Sequence, residues 1–480
     1  MKSLTYMRLA QEYEKQKTET PSGLIKAAIV TNFNDDVLKK LYTGLCVENK
    51  EIFPDIHQVP YKQYLFELKD PNSALMRFQA DITFVLFDAN PYLVSEFSAD
   101  EHHWKEVIAD IERYCHSVKG LFILHTLSEP VSLQHRRYFN DHMLHMLVRE
   151  YNEAIRKIEG ERENVFVVDV SKMMQFFFFW HAREMRGLYA FSQPFSTDFL
   201  LEIAQEWRAY TRVLAGKTRK CLVLDLDNTL WGGVVGELGP TGIALGSEYP
   251  GNAFQQFQRV LLDYYDKGIL LAINSRNNLG DIEEVFEKNP HMILRIEHFA
   301  AIFANWNTKA ENIALISKQL NIGLDSLVFL DDDPMNRDLV RTQFPEVVVP
   351  EFSLPPEEYT RVLLNLDAFH ALRITEEDRE RNAMYAAEQK RTTIAAEITS
   401  VGEYLERLGI KLSITCNDIA MIPRLAQLTQ KTNQFNLTTH RSTEQEIGEW
   451  MENGGLVFAG TVKDKFGPYG ITVLSVVLPL

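Results

Sequence analysis

Along the first part of the chain, short apolar runs alternate with stretches of mixed polarity. Lys26–Thr31 (KAAIVT), Ile82–Phe87 (ITFVLF), Leu121–His125 (LFILH) and Val165–Val170 (VFVVDV) are apolar enough to be strands buried on both faces. Between them, stretches such as His103–Ser117 repeat apolar residues at helical spacing. Strand–helix alternation of this kind predicts βαβ units and a parallel sheet. Residues 1–22 are polar and run into Pro21-Ser22-Gly23, predicting a helix or loose tail before the first core strand.

The alternation restarts at Lys220. Strands are predicted at Cys221–Leu224, Ile269–Ile273, Leu327–Leu330 and Val347–Val349, with helices near 254–266 and 310–321. Residues 354–400 turn helical and densely charged (ITEEDRERNAMYAAEQKR), which predicts a solvated connector helix. The last stretch, 401–480, mixes a helix at Ile422–Lys431 with strands at Leu456–Val462 and Ile471–Val477. No internal repeat is visible. The reading is a multi-domain α/β chain: a tail over 1–22, then domains over 23–215 and 216–353, a connector over 354–400 and an α+β region over 401–480.

Composition narrows the class. The chain has 480 residues, 45% hydrophobic and 24% charged, which suits folded domains rather than a disordered or fibrous chain. Lys and Arg number 50 against 66 Asp and Glu, a formal charge of −16. With no basic face to neutralise phosphates, nucleic acid is not an expected partner. The N-terminus lacks an apolar leader core, and the longest greasy run, Met173–Trp180, is too short to span a bilayer. Four scattered cysteines (Cys46, Cys115, Cys221, Cys416) form no C-x-x-C pair, as in a reducing compartment. The expectation is a cytoplasmic protein without a membrane partner.

The chemistry concentrates in KCLVLDLDNTLWGG, residues 220–233. A buried strand ends in Asp225-Leu226-Asp227-Asn228-Thr229, and alternation lets Asp225 and Asp227 leave it on one side. Two neighbouring carboxylates repel, so a divalent cation is the natural compensation. A plain Asp-Asn turn after a strand is the structural alternative. The later strands also end in polar groups. GILLAINS ends at Ser275, suited to a phosphate oxygen, and SLVFL ends at Asp331-Asp332-Asp333. Trp306-Asn307-Thr308-Lys309 opens a helix with a lysine, which the helix dipole disfavours unless an anion sits there. Ligands of open parallel sheets bind at the carboxyl ends of the strands, where these groups converge.

These four elements, in this order over residues 217–352, resemble the haloacid dehalogenase (HAD) superfamily of phosphoryl-transfer enzymes. The resemblance implies that Asp225 is the nucleophile, forming an aspartyl-phosphate, and Asp227 the acid/base. It implies that Ser275 and Lys309 grip the transferring phosphoryl, with Asn228, Thr229, Arg276 and Asn277 on the substrate. Asp331 and Asp332 would complete a Mg²⁺ site with Asp225 and the backbone carbonyl of Asp227, with Asp332 favoured as the direct ligand. Only 47 residues, including one helix, separate Asp227 from Ser275, so the cap is minimal and the site open. An open site suits a bulky substrate or a lid lent by another domain or partner.

Longer stretches, KCLVLDLDNTLWGGVVGE (220–237), TEEDRERNAMY (375–385), LTQKTNQFNLTTHR (428–441) and DKFGPYGI (464–471), resemble the narrower FkbH-like group across the whole chain. That resemblance implies an N-terminal region similar to the SGNH-hydrolase fold and a C-terminal region similar to part of an acetyltransferase (GNAT) fold. It also implies transfer of the glyceryl unit of 1,3-bisphosphoglycerate, a small phosphorylated three-carbon substrate, to a phosphopantetheinylated acyl carrier protein. Phosphate is lost, and the setting is polyketide-type biosynthesis. A plain HAD phosphatase acting on a phosphorylated protein or carbohydrate is the alternative, and a docking protein with a vestigial site is a third reading. The chain departs from the group's patterns: Ser275-Arg276-Asn277-Asn278 stands for S-K-N-D, and Pro468 replaces an acid in the late motif. The GNAT-like region is expected to be reduced or truncated.

Other residues read as structural. Cys221 lies four residues before Asp225, roughly 13 Å along a strand, and reads as core. Cys416 is the better thiol relay candidate. The N-terminal domain lacks a G-D-S nucleophile and reads as a non-hydrolytic binding platform. His102, His103 and His181 lack metal-ligand spacing. The FFFFWH run (176–181) reads as core or a domain contact, and Lys431–Asn436 as a substrate or carrier contact or a polar loop. The sequon at Asn436 carries no weight in a cytosolic chain.

Overall fold

The computed structural model describes residues 2–16, 24–48, 50–90, 101–128, 142–177, 179–374, 376–397, 400–431, 442 and 444–478. Pro21–Gly23, Phe178, the 432–436 part of the KTNQFN segment and the sequon at Asn436 lie outside them. The chain divides into two compact units. One holds Met1–Arg219 with Asn365–Arg373, the other Lys220–Leu364 with Ile374–Leu480. The segment expected as one connector, 354–400, is therefore divided between them. No helix among the described residues is long and apolar enough to cross a membrane.

The first unit is built on a five-stranded sheet of β1 (Leu24–Thr31), β2 (Phe53–Gln58), β3 (Ile82–Leu86), β4 (Leu121–His125) and β5 (Val165–Val168). All neighbours run parallel, in the order β2-β1-β3-β4-β5. The expected strand at 165–170 stops at Val168, because a helix begins at Val170. The edge strand β2 was not expected from its sequence. In the core, Trp207 stacks on Phe84 with ring centroids 4.2 Å apart. Trp207 Nε1 donates to His125 Nε2 at 2.9 Å, and His125 Nδ1 lies 2.8 Å from the Val85 carbonyl. These two bonds fix a neutral imidazole, and burial pulls its pKa down to about 4. Beyond β3 and β4, Arg183 donates to Asp88 and to Ser128 Oγ, each at 2.5 Å, in a fully buried pair. The 365–373 excursion is held by Arg208 Nε donating to Asp367 at 2.5 Å.

The second unit carries a parallel sheet of β6 (Cys221–Leu224), β7 (Leu270–Ser275), β8 (Phe299–Ala304) and β9 (Leu327–Leu330), ordered β8-β7-β6-β9. Strand β8 was not expected. The strand expected at Val347–Val349 is reduced to one bridge between Val328 and Val348. Between β6 and β7 stand two helices, not one: a single turn at Val235–Leu238 and a long helix at Gly251–Asp266.

A three-stranded antiparallel sheet, β10 (Lys411–Cys416), β11 (Leu456–Asp464) and β12 (Gly467–Val477), completes this unit. Its inner face packs Val457 and Ala459 against Leu425, Ala426 and Ile447 of two helices. Leu412, Ile414, Leu456, Val473 and Val477 share the outer face and are exposed. The late motif is a hairpin lock. Asp464 accepts from Phe466 N, Gly467 N, Tyr469 O–H and Arg391, which holds its carboxyl at about 2.

The charged helix Glu376–Glu397 is not the solvated rod expected of it. Asn382 is buried and donates to the Tyr265 and Ile269 carbonyls, and Tyr385 packs on the sheet core. Gly268, at φ +85°, lets the backbone at Asp378 approach so closely that a Cβ there would lie 1.9 Å from its carbonyl oxygen. Cys221 is fully buried, and burial raises its thiol pKa strongly, so it is a core residue. Cys416 is exposed.

Candidate active site

Strands β6, β7 and β9 deliver polar groups to one edge of the second unit's sheet. Each sits where a buried apolar run stops. Asp225 follows β6, Ser275 closes β7 and Asp331 follows β9. Lys309 is the first residue of the helix Lys309–Leu320 that follows β8.

That helix opens with a capping box. Thr308 Oγ1 accepts from the Glu311 N–H, and the Glu311 carboxylate accepts from the Thr308 N–H. The box fixes the helix start and thereby the root of the Lys309 side chain. Its ammonium is 2% exposed and lies 2.6 Å from Asp225 Oδ1, 3.0 Å from Asp331 Oδ2 and 2.7 Å from the Asn274 carbonyl. The anion expected beside this helix start is thus supplied from within, by two carboxylates. Burial works against the charged lysine, but Asp225 and Asp331 outweigh it and raise its pKa above the ordinary value.

Asp225, Asp331 and Asp332 each bring a carboxylate oxygen within 4.8 Å of the others. Burial first, then the like charge of Asp225, lifts the Asp331 carboxyl above its usual range despite Lys309. Burial, with Asp225 and Asp331, lifts Asp332 to about 6. Three carboxylates against one ammonium leave the cluster two charges negative when ionised. An all-oxygen, dianionic cluster fits a hard divalent cation.

Asp227 is not part of that cluster. Its Oδ1 accepts from Trp231 Nε1 at 2.9 Å and Val235 N at 3.1 Å, and its Oδ2 from Asn277 Nδ2 at 2.9 Å. Asn277 also donates to Ser275 Oγ at 3.1 Å, so one amide ties the expected acid/base to the expected phosphate-binding hydroxyl. Asn228 sits at φ +54° and accepts the Gly233 N–H on its Oδ1, which commits that oxygen to the loop. Thr229 is fully buried, its hydroxyl without a hydrogen-bond partner. Arg276 is exposed and unpaired among the described residues.

Several residues that hold this geometry were not foreseen. Arg337, fully buried, donates from Nη1 to the Asp331 and Asp332 carbonyls at 2.7 and 2.8 Å, and from Nη2 to Ser353 Oγ. Asn336 donates to both oxygens of Asp331, and the Asp333 N–H donates to Asp331 Oδ1. Asn274 donates to the Lys309 carbonyl at 2.9 Å and accepts from Asn312. The available signal was the sequence following β9: Pro334 at a helix start behind Asp333, with Asn336 and Arg337 facing back along the first turn.

Among solved structures, the chain is similar to the N-terminal part of the protein BF1531 from Bacteroides fragilis, which contains a phosphatase domain and was crystallised complexed with Mg. Identity is 28% and the TM-score 0.67, over 76% of this chain and 99% of that one. No family model and no curated protein matches the chain.

Proposed function

We propose that the chain is a Mg²⁺-dependent phosphoryl-transfer enzyme of haloacid dehalogenase type, acting as a phosphatase. The observation that carries this is the buried Lys309 ammonium between Asp225 and Asp331, with Asp332 alongside. Core packing does not call for three carboxylates at one point. The likeness to a phosphatase-containing structure complexed with Mg supports both the activity and the ion.

Asp225, Asp332, Asp331 and the Asp227 carbonyl would hold the ion. Asp331 already accepts from Lys309, Asn336 and the Asp333 N–H, so we assign Asp332 as the direct ligand of the pair. When bound, Mg²⁺ neutralises charge on the phosphoryl oxygens. The residues do the rest. The Asp225 carboxylate attacks phosphorus, forming an aspartyl-phosphate as the bond to the leaving oxygen breaks. Asp227 protonates that oxygen, then takes a proton from the water that cleaves the aspartyl-phosphate. Lys309, Ser275 and Asn277 hold the phosphoryl between these partners.

Our finer reading is glyceryl transfer. The carrier's phosphopantetheine thiol would attack the acyl carbon of 1,3-bisphosphoglycerate, forming the thioester and expelling inorganic phosphate, which carries away the thiol proton. The phosphoryl group of the remaining C3 phosphomonoester would pass to Asp225, freeing the C3 oxygen as a hydroxyl protonated by Asp227, and then to water. The FkbH-like stretches support it, and the exposed Arg276, unpaired among the described residues and next to Ser275, is a cation available to a second anionic group.

Intact-protein mass spectrometry tests both levels. Holo acyl carrier protein is incubated with the enzyme, Mg²⁺ and 1,3-bisphosphoglycerate made in situ. A glyceryl adduct supports the full reading, and a phosphoglyceryl adduct assigns phosphate removal elsewhere. Phosphate release without an adduct leaves a phosphatase for a phosphorylated protein or carbohydrate. Turnover that survives Asp225→Asn, or chelation of Mg²⁺, sinks the mechanism.

A further inference from the structure

We infer that a pocket beside the reaction centre receives an uncharged, chain-like part of the substrate, an inference that rests on phosphoryl transfer at Asp225. The pocket measures about 440 Å³, within the usual range for small-molecule sites. Tyr249 supplies an exposed aromatic face, Phe254 and Tyr359, nearly buried, add small apolar surfaces, and Gly232, Gly242 and Ala244 supply part of the remaining wall. No charged side chain lines it.

The pocket is tied to the catalytic loop by hydrogen bonds. Tyr359 O–H donates to the Asn228 carbonyl at 2.9 Å, and Asn228 Oδ1 accepts the Gly233 N–H at 2.8 Å. Gly232 and Ala244 exchange backbone bonds of 3.1 and 2.8 Å. Asn228 directly follows Asp227, the group assigned to protonate the leaving oxygen. Asn228 is itself part of the pocket wall, so the pocket opens one residue from that group and offers room for what the oxygen carries. The glycines leave no slack. A Cβ at Gly242 would lie 2.2 Å from the Leu238 carbonyl oxygen, and one at Gly232 2.9 Å from the Phe254 ring.

A carboxylate or second phosphate against these walls would give up part of its water with no lining cation to meet it. Arg276, unpaired among the described residues, does not line the pocket. A methylene-and-amide chain would instead lie against the Tyr249 ring and the small apolar wall at little desolvation cost. In the proposed glyceryl transfer, the matching species is the phosphoglyceryl thioester on the carrier's uncharged arm. Phosphate then leaves after the thioester has formed, and free 3-phosphoglycerate, with its carboxylate, is a poor substrate.

The test compares phosphate release from 3-phosphoglycerate and from S-(3-phosphoglyceryl)-N-acetylcysteamine, which replaces the carboxylate by a short uncharged amide chain. The wild type should favour the thioester at least tenfold in kcat/KM. Ala244→Phe, which fills the pocket, should bring that ratio to within twofold of one. Tyr249→Ala removes an exposed wall residue without burying anything new, so it carries the test should Ala244→Phe not fold, and it should lower the ratio severalfold. A ratio near one in the wild type overturns the inference and leaves the phosphatase standing. A high ratio that survives both substitutions overturns it equally. No release from either substrate overturns the inference together with the glyceryl reading beneath it; no release from p-nitrophenyl phosphate as well overturns phosphoryl transfer itself.

Discussion

Replacing Lys309 by Met keeps much of the side chain's volume and removes its charge. In the native protein the ammonium lies 2.6 and 3.0 Å from two carboxylates. At an effective dielectric constant of about 20, each contact carries roughly 6 kcal/mol of attraction. Most of that offsets the cost of taking three charges out of water. Breaking a buried pair by removing one partner destabilises by about 3–5 kcal/mol. We expect that loss for Lys309→Met in metal-free protein at pH 8. It should be read from urea unfolding together with amide exchange over residues 220–364, because two units need not unfold together. The pH dependence follows from the carboxyls left behind. Asp332 stands at about 6 and Asp331 is raised even with lysine present, so both are raised further without it. A raised carboxyl contributes stability below its folded pKa and loses it above. The variant therefore recovers as pH falls from 8 toward 5, starting above the native Asp332 value of about 6, and the gap to wild type narrows. Adding Asp331→Asn should recover at least half the loss at pH 8. A loss under about 1 kcal/mol, a gap equal at pH 5 and pH 8, or no recovery in the double variant would refute the electrostatic account.

Three further outcomes follow from burial and packing. His125 is held neutral with a pKa of about 4, against an ordinary 6.5, so the unfolded chain takes up a proton there first. The first unit should lose about 3 kcal/mol of stability as pH falls from 6.5 to 4, and His125→Gln should flatten that dependence in urea midpoints. Gly268→Ala adds a methyl 1.9 Å from the Asp378 carbonyl oxygen at φ +85°, so it should cost at least about 2 kcal/mol and raise amide exchange along Glu376–Glu397. Gly448→Ala, where the methyl meets nothing, should instead gain up to about 1 kcal/mol.

The strand ends were legible because each is an apolar run that stops at a polar residue. Buried on both faces, β6, β7 and β9 spell themselves in continuous hydrophobic letters. The two parallel strands that were missed, β2 and β8, are edges of their sheets. They are only partly buried: Pro54 and Asp55 break the pattern of one, and three alanines in FAAIFA leave the other a short apolar run that fits a helix as well as a strand. The helix Glu376–Glu397 misled because two of its buried residues, beside Tyr385 and Ala387, are Asn382 and Arg391, which a hydrophobicity pattern reads as solvated. Lys309 was legible as an anomaly, a cation at a helix start. Arg337 was not read, because it acts on main-chain carbonyls and its one signal was its place in the first turn behind Asp333-Pro334.

The outer face of the C-terminal sheet governs how copies of this chain treat one another in crowded solution. Five aliphatic side chains stand there in the open, a short-range attraction felt only at contact. A formal charge of −16 holds neighbours apart in dilute buffer, where the Debye length is about 30 Å at 0.01 M salt. At 1 M it shrinks to about 3 Å, and the repulsion no longer reaches beyond that face. Ionic strength, more than folding stability, then sets whether the protein stays dispersed or turns colloidally sticky.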